Sequence, residues 1–396
     1  MRRIIFVAAL LLSLASSVAA QSPCEIARKD PSKIHFEDCG REIFTHKPVR
    51  PLPPTSIVPG SGFGLGAAYY TEFNKDTWQR NATISGVVTF QKFYQIEAGT
   101  KFTHKAWGEN NSARDRFAIN AYVKHWGLPK MAYFGLGPNT KKDDKVFFAR
   151  RDTKLGLEVY NPVSNWLAIG GTIESLWPHV EAAKNLGTKD ISIEKKFTDV
   201  TAPGLTKQPH FMRYEAFAKP HFPATKPYNV DYKIGYSYFQ DTSGGKYSFG
   251  RFDTDLKNRI KISKPDSNLD VRFRLSSART GSGKQVPFYY QETLGGSDIN
   301  NDPALRGFAD YRFRDRNLMV LQTEYQFNIK NGYGAMVFYD TGKVAPTLGG
   351  LGSARLRHSY GVGFTMFSGD RVYFKVYIGL GGGEGRRMFV GVPKLF

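Results

Sequence analysis

The fold is decided by a pattern best seen near the C-terminus, where residues 359–366 have the sequence Ser-Tyr-Gly-Val-Gly-Phe-Thr-Met. Large apolar side chains at every second position alternate with small or polar ones, which is typical of a β-strand with one apolar and one polar face. The same alternation recurs through most of the chain, for example over residues 319–327 and 372–378. The sequence therefore predicts an all-β protein.

The alternating pattern predicts sixteen strands. They span residues 61–73, 81–90, 94–104, 115–126, 131–137, 145–160, 164–176, 209–220, 228–240, 247–262, 268–280, 315–330, 333–342, 356–367, 370–380 and 387–396. Every second connection is short, and the longest, 177–208, 281–314 and 343–355, fall in the other set. Short periplasmic turns and long outer loops are typical of an outer-membrane barrel. We therefore predict a sixteen-stranded antiparallel transmembrane β-barrel over residues 61–396, with 281–314 as its sixth outer loop. This alternation of short and long connections depends on counting residues 131–137 as a strand.

The residues before the predicted barrel have the features of an export signal and a linker. Two arginines at positions 2 and 3 precede an apolar run from Ile4 to Leu14, and small residues offer a cleavage site after Ala20. This is the layout of a secretory signal peptide. Residues 1–20 are therefore predicted to be a signal peptide that directs export to the outer membrane, and the proline-rich residues 21–60 to be a short periplasmic lead-in.

The chain has two cysteines, Cys24 and Cys39, and both lie in this lead-in. In an oxidising compartment an even pair predicts one disulfide that closes a short loop. Two free thiols are the alternative. Two cysteines by themselves cannot build a structural zinc site.

Charge and hydropathy limit the class of partner. The formal net charge is +20 at pH 7, and the mean hydropathy is −0.39. A basic chain can bind nucleic acid or acidic lipid, but here Lys and Arg do not interleave with stacking aromatic residues as in a nucleic-acid module. We expect a basic lumen and basic loops, with outer-membrane lipid and lipopolysaccharide as partners and no nucleic acid.

Catalytic signals are weak. Residues 280–285, Thr-Gly-Ser-Gly-Lys-Gln, lack the first glycine and the Ser or Thr after lysine that a phosphate-binding loop needs. No Gly-x-Ser-x-Gly and no His-Glu-x-x-His motif occurs, and the eight histidines are scattered without metal spacing. We therefore predict no enzyme activity, no cofactor and no metal site.

Four short stretches in the last hundred or so residues carry a more specific signal. They are Leu294-Gly295-Gly296, then Leu305-Arg306-Gly307-Phe308, then Glu324 within a strand, and Phe338-Tyr339-Asp340-Thr341-Gly342. In order and spacing, this part of the chain resembles the BamA/TamA outer-membrane assembly-factor superfamily, also called the bacterial surface antigen barrel. Leu305 to Phe308 matches its VRGF/VRGY motif, and residues 338–342 match its FxDxG motif.

The resemblance implies that the sixth outer loop folds back into the barrel. It also implies that Arg306 pairs with Asp340 and Glu324 on the lumen wall, and that the protein takes part in inserting or transporting protein or lipid. The alternation places both acidic residues on the polar face of their predicted strands, and a planar guanidinium suits carboxylates in a crowded lumen. The alternative is that Arg306 is a solvated loop charge.

One departure from the superfamily concerns the N-terminus. Its best-known members carry periplasmic POTRA domains, whereas only residues 21–60 lie between the predicted signal and the predicted barrel. We therefore expect a stand-alone, monomeric barrel, with a separate periplasmic protein as its partner if it receives clients.

The junction between the first and last predicted strands has residues that weaken strand pairing. Gly62, Gly64 and Gly66 remove side chains from one face of the first predicted strand. Pro393 cannot donate a ladder hydrogen bond in the last, and Phe396 ends it. We interpret this junction as a weak seam. Relief of crowding where the barrel curves is an equally good explanation of the glycines.

A diffusion channel is the main alternative function, because sixteen strands can enclose an aqueous lumen. Five cations fall on the predicted lumen face and would favour anions: Lys257, Arg259, Arg272, Arg274 and Lys375. An inward-folded sixth loop would block such a pore.

Overall fold

A computed structural model describes residues 48–105, 116–220, 228–262, 267–300, 302–330, 332–368 and 371–391. The predicted signal peptide 1–20, Cys24 and Cys39, and Pro393 and Phe396 all lie outside these residues. No helix in the described ranges is long and apolar enough to cross a membrane.

The described residues form a single large antiparallel sheet and one small one. The large sheet contains β1 (Val49–Thr55), β2 (Gly64–Lys75), β3 (Trp78–Thr89), β4 (Tyr94–His104), β5 (Ala118–Tyr133), β6 (Val146–Pro162), β7 (Leu167–Ala182), β8 (Phe211–Pro220), β9 (Tyr228–Asp241), β10 (Phe249–Lys261), β11 (Ser267–Arg279), β14 (Asn317–Lys330), β15 (Tyr333–Ala345), β16 (Arg357–Ser368), β17 (Arg371–Gly381) and β18 (Gly385–Gly391). The small sheet pairs β12 (Glu292–Leu294) with β13 (Phe313–Asp315). Short helical segments span Lys142–Asp144, Ile193–Lys195, Phe288–Tyr290 and Gly350–Ser353.

The strands of the large sheet follow one another in chain order, apart from the step from β11 to β14. The alternation seen in the sequence separates its two faces. On β14, Leu321 and Phe327 are exposed on one face, whereas Gln322, Glu324 and Gln326 are buried on the other. The polar face is therefore the inner one, covered by loops, and the apolar face is the outer one.

One predicted strand is wrong. Residues 131–137 are not a separate strand, because β5 runs on through Ala118–Tyr133. The sequence Gly-Leu-Pro-Lys at 127–130 has the composition of a turn. In the structure it holds an irregularity of the ladder between Leu128 and Met131. A bulge accommodates Pro129 within a strand because its missing N–H is not needed there.

A strand that the sequence did not predict lies in the supposed lead-in. β1 has the sequence Val-Arg-Pro-Leu-Pro-Pro-Thr and pairs with β2, with Leu52 opposite Gly66. Proline-rich sequence disfavours a central strand, but prolines are tolerated in an edge strand. Among the described residues the sheet begins at Val49, so the predicted boundary at residue 61 is too late.

The two errors cancel in the number of strands but not in the placement of the connections. Counted from β1, residues 280–316, here called loop 6, are the sixth connection at one end of the sheet. This end, the long-loop end, also carries 183–210. However, connection 90–93 lies at the long-loop end, and connections 76–77 and 105–117 lie at the opposite end, the reverse of the prediction.

The main apolar core lies where loop 6 meets the inner face of the sheet. Phe288 of loop 6 contacts Tyr133 of β5 and Phe148 of β6, with ring centroids 5.1 and 5.0 Å apart. Val58, between β1 and β2, and Ile193 belong to the same cluster. Loop 6 therefore packs against elements that are far apart in the chain.

Candidate functional site

Loop 6 is closed at its base by its own small sheet. Leu294 of β12 pairs with Phe313 of β13, so both ends of the segment between them are fixed. The backbone N–H of Leu305 donates to the carbonyl of Gly295 at 2.6 Å. A Cβ at Gly295 would overlap the backbone of residues 309–312. The Leu-Gly-Gly stretch therefore allows two parts of loop 6 to come into backbone contact.

Arg306 lies within this closed segment and contacts Asp340 of β15. Its Nε donates to the carboxylate at 3.0 and 3.2 Å, and its Nη2 donates at 2.7 Å. The backbone N–H of Arg306 donates to Asp340 Oδ2 at 3.0 Å. Arg306 is 4% exposed and Asp340 is 0% exposed. Arg306 is thus a buried charge with a bidentate partner and not a solvated loop residue.

Glu324 of β14 supplies a second carboxylate to the Arg306 site. Arg306 Nη1 donates to Glu324 Oε2, and Lys375 Nζ of β17 donates to Glu324 Oε1 at 2.7 Å. Gln326 also donates to this carboxylate. Two cations and two carboxylates therefore meet on the inner face of β14, β15 and β17.

An aromatic ring supports the guanidinium from one side. The Arg306 guanidinium carbon lies 3.7 Å from the centroid of the Phe338 ring, close enough for a strong cation–π contact. Phe338 pairs with Gly361 of β16, where a Cβ would collide with its ring. The first residue of the Phe-x-Asp-x-Gly motif thus packs beneath Arg306, and Asp340, two residues on, binds its charge.

Glycines bring loop 6 into backbone contact with β17. A Cβ at Gly307 would overlap the backbone of residues 380–381, and a Cβ at Gly379 would lie 2.9 Å from the Arg306 carbonyl. The Gly307 N–H donates to Ser359 Oγ at 3.1 Å, and this hydroxyl donates to Asp340. Gly379 and Gly381 therefore provide room for the motif.

The other motif residues pack in an apolar cluster. Leu305 and Phe308 are buried with Leu294, Phe313 and Val320. The sequence predicted the Arg306 partners by resemblance, but it did not predict the roles of Phe338, Ser359 or Lys375 in the site. The spacing Gly379-x-Gly381 was the one available signal for close approach to β17.

No family model and no curated protein matches this sequence. Solved structures do match. BamA from Haemophilus ducreyi lacking POTRA domains 1–3 has a TM-score of 0.57 at 13% identity, and the match covers 84% of this chain and 67% of that one. CdiB from Escherichia coli has a TM-score of 0.54 at 11% identity, covering 90% and 70%.

The chain has the BamA/TamA-type fold. At these identities the likeness concerns the fold, and it confirms the fold type implied by the four motifs.

Within this BamA/TamA-type fold, the glycines assigned to the seam are not on the first strand. Gly62 lies in the connection between β1 and β2 with φ +69°, Gly64 begins β2, and Gly66 lies within β2. A Cβ at Gly66 would lie 2.5 Å from the backbone of β3 and 3.2 Å from the Leu52 side chain. Gly66 therefore permits tight packing of β1, β2 and β3.

The five cations predicted to favour anions all have acidic partners in this BamA/TamA-type fold. The pairs are Arg272 with Asp255 at 2.7 Å, Arg274 with Asp298 at 3.1 Å, Arg259 with Asp270 at 2.7 Å, Lys257 with Asp231 at 3.4 Å, and Lys375 with Glu324 at 2.7 Å. Two of the acidic partners, Asp298 and the additional Arg272 partner Asp302, belong to loop 6. The positive charge predicted for the lumen at these positions is therefore largely neutralised.

Proposed function

We propose that this protein is a closed, sixteen-stranded outer-membrane β-barrel in which loop 6 folds inward. We further propose that it takes part in the insertion or transport of protein or lipid at the outer membrane of a Gram-negative bacterium. The observation that carries the proposal is the buried Arg306 site, since it fixes a long loop against the inner face at the residues of the VRGF-like and FxDxG motifs.

Contacts between distant strands support closure. The connection after β5 and the connection after β17 are ten strand spacings apart in the sheet order, which would be about 48 Å in a flat sheet. Nevertheless Lys142 Nζ donates to the carbonyl of Glu384 at 2.8 Å, and Arg357 donates to the carbonyl of Pro138 at 2.7 Å. The sheet therefore curves strongly, as a barrel wall does.

The outer face supports a location in lipid. Ile173 on β7 is 50% exposed and Val362 on β16 is 61% exposed, and exposed apolar side chains such as Ile234, Phe252, Leu321 and Val337 lie on strands between them. An apolar outer face and a charged inner face are the arrangement of a transmembrane barrel. Outer-membrane lipid and lipopolysaccharide are accordingly the proposed surroundings of a monomeric barrel, reached after removal of residues 1–20.

The task within the membrane is proposed from the superfamily resemblance. A protein that handles clients needs a surface that receives them in the periplasm, and we propose that a separate periplasmic protein supplies it. No nucleic acid and no catalytic step is part of the proposal.

A reconstitution experiment tests this task. Liposomes with the protein, liposomes without it, and liposomes with the Arg306→Ala variant receive a urea-unfolded outer-membrane barrel, with and without periplasmic extract. Folding of the client is followed by its shift on unheated gels. We expect faster folding with the wild-type protein and extract than in any other arm. Equal rates with and without the protein, in both the presence and absence of extract, would contradict the insertion activity.

The anion-favouring channel is tested separately by conductance in planar bilayers. Loop 6 packs across the inner face and the lumen cations are paired, so we expect small and flickering currents from the wild-type protein. A variant in which residues 297–311 are replaced by a short glycine–serine linker should conduct more. Large, steady anion currents from the wild-type protein would favour the channel instead.

A further inference from the structure

The last strand makes a direct ionic contact with loop 6. Arg387 of β18 donates from both terminal nitrogens to Asp310 of loop 6, at 2.6 and 2.5 Å. It also donates to the carbonyl of Phe308, directly after the Arg306-Gly307 pair, at 3.1 Å. Both side chains of the ion pair are partly buried. A bidentate pair of this kind fixes orientation as well as distance.

Loop 6 has room for this arginine because of a glycine. A Cβ at Gly296 would collide with the Arg387 guanidinium. The second glycine of the Leu-Gly-Gly stretch thus faces β18, while the first allows loop 6 to fold on itself. The absence of a side chain at Gly295 therefore makes room for the backbone of loop 6, and its absence at Gly296 makes room for Arg387 of the last strand.

A second ionic contact fixes the turn that leads into β18. Arg312 of loop 6 donates to the Glu384 carboxylate from Nε at 2.7 Å and from Nη2 at 2.8 Å. It also donates to the Thr140 hydroxyl and carbonyl at 2.8 and 2.7 Å. Arg312 is 2% exposed. One buried side chain therefore joins loop 6, the β17–β18 turn and the connection after β5.

The Arg306 site reaches the same strand through stacked rings. Phe389 of β18 stacks on Tyr377 of β17 with ring centroids 5.0 Å apart and an interplanar angle of 15°. Tyr377 packs edge-on against Phe338 at 5.4 Å, and Phe338 lies beneath Arg306. Both Arg387 and Phe389 are thus connected to loop 6, one directly and one through two aromatic rings.

We infer that loop 6 clamps the last strand in place, with Asp310 and Arg312 as the positioning residues. Among the described residues, β18 pairs with β17 over seven residues, Gly385–Gly391. A short strand at the end of a sheet holds its position weakly by its ladder alone. The contacts through Asp310, Arg312 and the Phe389 stack add to its attachment. The position of loop 6 and the position of β18 are therefore coupled, and release of one loosens the other. This inference rests on contacts within the chain and does not depend on the proposed function.

Hydrogen exchange measured by mass spectrometry tests the clamp on the full-length protein in detergent micelles. The Asp310→Asn variant removes the negative charge with little change of shape. The matched control is Asp270→Asn, because Asp270 also binds an arginine, Arg259, in a bidentate pair, but between β10 and β11. We expect exchange of residues 385–391 to become about tenfold faster in Asp310→Asn, and to stay at the wild-type rate in Asp270→Asn. Unchanged exchange of residues 385–391 in Asp310→Asn, or equal acceleration in both variants, would overturn the inference.

A charge swap separates the pair itself from a general loss of packing. Arg387→Asp and Asp310→Arg should each accelerate exchange in residues 385–391, and the double variant should bring it back towards the wild-type rate. A double variant that exchanges as fast as the faster single variant would show that the ion pair does not hold β18. If either reversal prevents folding, as judged by unheated gels, the isosteric Asp310→Asn comparison still decides.

Discussion

Replacing Arg306 by alanine removes the guanidinium from a site that solvent does not reach. Among the described residues, Asp340 then keeps two donors, the Ser359 hydroxyl and the backbone N–H of residue 306. Glu324 is affected less, because Lys375 and Gln326 still donate to it. The main cost is therefore one buried carboxylate that loses its counter-charge.

The magnitude follows from the burial of that carboxylate. Removing one partner of a buried ion pair costs about 3–5 kcal/mol, and Asp340 is 0% exposed, so solvent screening does not reduce this figure. Since about 1.4 kcal/mol corresponds to tenfold, the folded-to-unfolded ratio should fall by roughly 140- to 3700-fold. The matched control, Arg259→Ala, removes a pair whose arginine side chain is 39% exposed, and it should cost at most about 1 kcal/mol.

The assay is urea unfolding of the purified protein in lipid–detergent micelles, followed by tryptophan fluorescence and by the gel shift of unheated samples. A double-mutant cycle with Arg306→Met and Asp340→Asn isolates the pair. Because the double variant leaves no unpaired charge on Asp340, it should be less destabilised than the sum of the single variants by about 1–3 kcal/mol. Additive effects, or a cost of Arg306→Ala no larger than that of Arg259→Ala, would refute the reasoning.

Three further predictions concern single residues. Gly307→Ala introduces a Cβ into the backbone of β17 and should lower the yield of folded protein on unheated gels, whereas Gly281→Ala in the same loop should not. Gly66→Ala should destabilise the protein in urea unfolding because it crowds β3, whereas Gly86→Ala, with nothing within 4 Å, should be neutral or stabilise by about 0.5–1 kcal/mol. Burial raises the pKa of Asp315 above its usual value, so its charged form is disfavoured in the folded state. Asp315→Asn should therefore stabilise the protein at pH 7, and this gain should vanish below about pH 4, where the aspartate is protonated in both states.

The central and C-terminal strands could be predicted because their two faces meet different surroundings. β14 and β16 show period-two alternation in the sequence, and the structure exposes one set of side chains and buries the other. β1 could not be found in this way. Its prolines are unfavourable in an ordinary strand, and what makes them acceptable, pairing with β2 on one side and with no described strand on the other, is a property of the whole sheet. Likewise, Pro129 indicates a turn in the sequence, but in the structure it lies at a bulge within β5.

The Arg306 site could be predicted only in part, for a related reason. Arg306 and Asp340 are thirty-four residues apart, and no local pattern specifies that a loop will return to the inner face. The resemblance to a known superfamily supplied that step. It did not supply Phe338 and Ser359 as supports, nor the contacts of Asp310 and Arg312 with the last hairpin, because these depend on the register of β15 to β18.

Two parts of loop 6 attach to the rest of the protein by different kinds of contact, and this difference explains the charges that loop 6 carries. Residues 286–290 carry the apolar cluster with Phe288 and Tyr289, and detaching them would expose apolar surface to water. The segment from Asp298 to Arg312 combines apolar contacts, through Leu305 and Phe308, with several ion pairs to the surrounding strands and to the β17–β18 turn. Buried pairs add little net stability compared with apolar packing, because each charge must be desolvated. For the same reason, these side chains regain hydration if the segment is released into a wet lumen. The ion pairs therefore select one position for this segment and make its release less costly than if the same positions were apolar, and the last strand follows that position through Asp310.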